Sequence, residues 1–108
     1  MSDHEPTLIV QSGHADGSVT ISVTGEIDSS NCTELHDELL RAAAGDDGRC
    51  TVDLSGVSFM DSSGLRALLI GHRALSDAGK AFVVAGVSDS VRRLLEITGL
   101  LERFGLPG

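Results

Sequence analysis

The chain has 108 residues, of which 41% are hydrophobic, 22% charged and 3% aromatic, and its formal net charge is −8 at pH 7. That length suits one domain able to bury about 65% of its unfolded surface, with a core that must be built from aliphatic side chains. The acidic balance repels phosphate backbones and anionic membranes, and the lack of Trp and Tyr leaves few rings for bases to stack on, so neither nucleic acid nor a membrane is expected as a partner.

The opening MSDHEPTLIV has no basic region and no long apolar run, so neither a signal peptide nor a membrane anchor is expected. TLIVQSG and GSVTISVTGEID read as a hairpin: Val19, Ile21 and Val23 alternate with Thr20, Ser22 and Thr24, and ADG supplies the turn. SSNCTELHDELLRAAAG reads as a helix with Leu35, Leu39, Leu40 and Ala43 facing inward and Gly45 as its stop. GRCTVDLSGV is a third strand with Cys50, Val52 and Leu54 on one face. A second helix runs from the serines of FMDSSGLRAL to SDAGK, with Leu65, Leu68, Leu69, Leu75 and His72 on one side.

KAFVVAGV is apolar on both faces, which predicts a place near the centre of the sheet. SDSVRRLLEITGL is a third helix, capped by Ser88 or Asp89, with Val91, Leu94 and Leu95 inward. LERFGLPG reads as a short strand or turn and a loose end. The expected order is β-β-α-β-α-β-α: one α/β domain over residues 1–108, core about 8–104, with a small mixed sheet of four to five strands and helices mainly on one face. No run approaches the roughly 20 apolar residues of a spanning helix. Two cysteines, Cys32 and Cys50, without secretory context predict free thiols and a cytoplasmic location.

FMDSSGLRAL raises a question of its own. One short side-chain oxygen can cap a helix, but two adjacent serines exceed that need. Gly64, in the first turn, costs about 1 kcal/mol relative to alanine and points to a close approach to the backbone. The residues alone also fit ordinary capping, as do Glu26 and Asp28 before the first helix. Enzyme readings find little support. Ser62 or Ser63 and His72 lie about 14 Å apart along a helix, a G-x-S-x-G elbow is missing, and so is a phosphate-cradling G-x-x-x-x-G-K-[ST] loop. Cys32 and His36 stand four apart, and even with His4, His14 and His72 elsewhere they fall short of a closed metal site. Neither catalysis, cofactor nor metal is expected.

VDLSGVSFMDSSGLRALL resembles the signature of the STAS domain, and specifically of bacterial anti-sigma factor antagonists; VTGEIDSSN resembles the family's G-E-x-D turn. With the element order matching from Leu8 to Phe104, the chain is identified as a member of that family. The resemblance implies a switch. An anti-sigma factor that is a serine kinase with a GHKL-type ATP site is captured by the unphosphorylated antagonist, which frees a sigma factor; phosphorylation ends the capture, and a serine phosphatase resets the cycle. By position, Ser62 is the implied phosphate acceptor, Asp61 and Ser63 flank it, Gly64 permits close approach of the partner, and Gly25, Glu26 and Asp28 form the neighbouring docking loop. A short C-terminus departs from longer members at the position of a final helix. The rival reading is a non-switching STAS module of a transporter, lipid-trafficking or stress-sensing complex. On the switch reading, Asp61 or one serine caps the helix and the other serine takes the phosphate, where a helix start favours an anion by about 0.3–1 kcal/mol.

Overall fold

Two residues at positive φ, Asp16 (54°) and Gly17 (76°), close the first hairpin, as a two-residue turn between twisted antiparallel strands requires. The computed structural model describes residues 7–106. The loose end expected at Pro107 and Gly108, the reading of the first six residues and His4 lie outside them. The elements are β1 (Leu8–Ala15), β2 (Ser18–Ile27), α1 (Cys32–Ala44), β3 (Arg49–Met60), α2 (Ser62–Asp77), β4 (Ala81–Val87), α3 (Asp89–Thr98) and a 3₁₀ turn at Glu102–Phe104. β1 pairs antiparallel with β2, while β2–β3 and β3–β4 are parallel. The mixed α/β order read from the sequence is the order observed.

The sheet runs β1-β2-β3-β4, so β4 is an edge strand, not the central one its apolar run suggested. Its side chains explain the difference. Phe82 and Val84 turn toward the helices, while Ala81, Val83 and Ala85 lie on the open face, where Val83 is 37% exposed. The run is apolar on both sides because small aliphatic residues occupy an uncovered face, not because helices cover both.

On the covered face, Val19, Ile21 and Val23 of β2 and Cys50, Val52 and Leu54 of β3 are buried against Leu35 and Leu39 of α1, Leu65, Leu68 and Leu75 of α2, and Val91 and Leu95 of α3. Full burial of a leucine is worth about 1.5–3 kcal/mol, so this aliphatic layer is the main source of stability. Leu40 departs from the expected stripe: it is 37% exposed, and Ala42 takes the inward place. The C-terminal stretch forms a 3₁₀ turn where a short strand or turn was expected. It seats Phe104 against Phe82, with His72 edge-on to both at ring distances of 5.8 and 5.3 Å. Among the described residues no helix is long and apolar enough to cross a membrane.

Candidate functional site

The site lies at the end of the sheet where the parallel strands β2 and β3 finish and α1 and α2 begin. Gly25 has φ of +114°, and a Cβ there would fall 1.9 Å from the Thr7 carbonyl oxygen, so no other residue fits this bend. The bend is tied in place by the Glu26 N–H, which donates to the same carbonyl at 3.0 Å.

Beyond it, Asp28 and Asn31 build the turn that enters α1. The Ser30 N–H and hydroxyl donate to Asp28 Oδ1 at 2.8 and 2.6 Å, a local arrangement typical of Asx turns. The hydrogen bonds from the Ser30 hydroxyl and then from its N–H hold the Asp28 carboxyl below its ordinary range. Asn31, only 7% exposed, accepts from the Asp28 N–H at 3.0 Å and donates to the Glu26 carbonyl at 2.9 Å. A buried amide satisfied on both sides clamps the loop across its base. Thus Asp28 shapes a turn, and its backbone oxygen accepts from the Cys32 N–H at 2.9 Å.

β3 reaches this end with a bulge. Gly25 pairs with Val57 and Glu26 with Phe59, which leaves Ser58 as the extra residue. The bulge carries Met60 into the core and leaves Phe59 50% exposed beside Glu26. The Asp61 N–H then donates to the Ile27 carbonyl at 3.2 Å, so the two loops share a backbone link.

The start of α2 answers the question of the paired serines. Asp61 is the cap: its Oδ1 accepts from the Ser63 N–H at 2.8 Å and the Gly64 N–H at 3.3 Å. Ser62 is exposed and takes no part in the cap, whereas Ser63 is half-buried. Gly64 is buried, and a Cβ there would lie 2.7 Å from both Ile27 Cγ2 and Met60 Cγ. Within the chain, the ends of β2 and β3 make the close approach that this glycine permits.

The structure brings Gly25, Glu26, Asp28, Asp61, Ser62, Ser63 and Gly64 to one end of the fold. Sequence reasoning missed Asn31, Ser58 and Phe59 there. An Asn three residues after Asp28 and just before a helix was a usable signal for the first; a bulge has no comparable signature. His36 is engaged elsewhere, its Nδ1 3.1 Å from the Asp37 carboxylate.

A family model described as Mlab, STAS domain matches residues 10–106. The anti-sigma-B factor antagonist of Staphylococcus aureus (strain NCTC 8325 / PS 47) is 37% identical over 82 residues, 76% of each chain. A crystal structure of an anti-sigma factor antagonist from Mycobacterium paratuberculosis superposes with a TM-score of 0.82 at 29% identity, covering 93% of this chain and 85% of that one. The anti-sigma factor antagonist SpoIIAA in its unphosphorylated form shares the fold, with a TM-score of 0.74 at 24% identity over 85% of this chain and 82% of its own. The motif at the start of α2, the G-E-x-D loop beside it and these likenesses agree: the chain belongs to the STAS-domain family of anti-sigma factor antagonists.

Proposed function

We propose that this protein captures an anti-sigma factor through the end of the fold that carries Ser62, and that phosphorylation of Ser62 switches the capture off. The observation that carries the reading is the division of labour at the helix start: Asp61 makes the cap, and the neighbouring Ser62 hydroxyl stays exposed and structurally uncommitted. A hydroxyl needed for capping would be a poor acceptor, since modifying it would cost the helix its cap.

The partner is a serine kinase that brings its own ATP site. Transfer forms a bond from Ser62 Oγ to the γ-phosphorus while the bond between the β- and γ-phosphates breaks; ADP leaves and the hydroxyl proton passes to a base or to water. The product carries about −1.5 to −2 charges at the centre of the docking face and faces ADP phosphates and the acids of its own loop. Repulsion of that kind, placed in a contact that excludes water, costs about 3–5 kcal/mol, or at least a hundredfold in affinity. Capture of the kinase frees a sigma factor, and a serine phosphatase restores the acceptor, all in the cytoplasm. The chain is thus substrate and ligand, not catalyst.

Site-resolved mass spectrometry after incubation with the anti-sigma kinase and ATP tests the assignment. Phosphate on Ser62, absent from Ser62→Ala and still present in Ser63→Ala, is the expected result. Phosphate on another residue, or none, would leave a non-switching STAS interaction module as the better reading.

A further inference from the structure

Ser62 and Arg66 stand four residues apart in α2, so they share one face of the helix. Helical Cα–Cβ bonds tilt toward the N-terminus, which leans the longer side chain of Arg66 back over Ser62. Both residues are exposed, and the Arg66 side chain makes no ion pair or hydrogen bond among the described residues.

Three backbone donors in the first turn of α2 are already occupied. The Ser63 and Gly64 N–H groups donate to Asp61 Oδ1, and the Leu65 N–H donates to the Asp61 carbonyl at 3.2 Å. A phosphate on Ser62 would stand next to the Asp61 carboxylate with those three donors taken, so a side-chain cation within reach adds compensation that the first turn does not supply. Arg66 is the cation one turn away on that face of α2, Arg73 lying two further turns along. An anion placed four residues N-terminal to a cation is the favoured orientation for such pairs, and a guanidinium can engage two phosphate oxygens at once.

We propose that Arg66 pairs with the phosphate of phosphorylated Ser62 and holds it against the first turn of α2. The modified protein then carries its own counter-charge. Phosphorylation changes the docking face twice: a dianion appears, and a guanidinium that was exposed becomes engaged within the chain. This inference rests on Ser62 being the acceptor.

The test avoids the kinase. Full-length protein with phosphoserine incorporated at position 62 during synthesis is titrated by phosphorus NMR, alongside Arg66→Gln and Arg66→Lys versions. Losing the guanidinium should raise the second pKa of the phosphate by about 0.15–0.4, with Arg66→Lys restoring part of the difference and concentrated salt shrinking it in the parent. Equal titration midpoints in the parent and Arg66→Gln would overturn the pairing. A kinase that modified a different residue would sink the switch reading instead, and the titration would still report on the pair.

Discussion

The two ends of the sheet handle charge in opposite ways. At the hairpin end, polar side chains are spent on the fold. Lys80 donates through Nζ to the carbonyls of Ala42, at 3.0 Å, and Gly45, closing the C-terminus of α1. The Glu38 carboxylate takes Arg41 Nη2 at 2.7 Å and the Ser12 hydroxyl at 2.8 Å, and His14 Nδ1 lies 2.6 Å from Asp47. Backbone bonds from Gly48 N–H to the Gly17 carbonyl and from Ala81 N–H to the Gly48 carbonyl, both 3.0 Å, stitch the loops together. At the opposite end, Asp28, Asn31 and Asp61 brace the backbone, while Phe59, Ser62 and Arg66 are left facing solvent. One end is closed on itself. The other has a rigid frame and uncommitted side chains, as a recognition surface needs.

The sharpest way to break this contrast is to disturb the frame of the open end. Gly64→Ala forces a methyl against Ile27 and Met60, and overpacking of that kind costs about 1–3 kcal/mol. Denaturant unfolding should show the loss, and kinase capture should weaken further because the start of α2 is pushed outward. Unchanged stability would mean that the ends of β2 and β3 yield easily and the frame is soft.

A smaller effect separates the ends. Lys80→Met removes the cation that caps α1, at a cost of about 1–2 kcal/mol, while capture should stay at the parent level. Asp61→Ala removes the cap of α2 for about 1 kcal/mol, and here capture should fall along with stability. A Lys80→Met protein that folded but lost its partner would show that the hairpin end also takes part in recognition.

Acid should weaken the closed end. The hydrogen bond from Arg41, followed by that from Ser12, holds the Glu38 carboxyl below its ordinary 4.5. Its contribution is therefore complete above that value and is lost as pH falls through and below it. Arg41→Gln should flatten the acid limb of a stability–pH curve; an identical limb in both proteins would assign the loss to other carboxyls.

The thiols separate the core from the docking face without touching capture. Burial pushes Cys50 up to about 11, opposed by the charge of Lys80, whereas Cys32 is half-buried at the start of α1. At pH 8 a thiol reagent should label Cys32 and spare Cys50 in the folded protein. The neutral Cys50 thiol favours the fold below its ordinary value of 9.0, and that contribution fades as pH rises toward about 11. Replacing both cysteines by serine should cost about 1–2 kcal/mol, mostly at Cys50, and leave capture intact. Rapid labelling of Cys50 would show that the closed end opens more readily than its bonds suggest.

Much of the fold and of the helix start was legible in the sequence, and the exceptions share a cause. The alternation of Val19, Ile21 and Val23, the stripe through α2 and the D-S-S-G start all express local periodicity or capping, which a linear pattern records. The position of β4 depends on which strand lies beside it and on what covers its outer face, and an apolar run carries neither fact. Leu40 sits at the margin of the α1 stripe, where a small rotation decides between inside and outside. Gly64 stood out in the sequence as an unusual first-turn glycine, but the neighbours it meets within the chain, Ile27 and Met60, come from strands that only the tertiary fold brings there. Asn31 acts through two backbone groups of a loop, so its role appears once that loop has a shape.

The central claim is that the open end is a switch governed by Ser62. Its most direct test is the affinity of the anti-sigma kinase for four forms of this protein: unmodified, phosphorylated at Ser62, Ser62→Ala and Ser62→Glu. Ser62→Ala should bind within a few-fold of the unmodified protein. The phosphorylated form should bind about a hundredfold or more weakly, and Ser62→Glu should follow in the same direction while changing stability by less than about 1 kcal/mol. A phosphorylated protein that binds as tightly as the unmodified one would contradict the account.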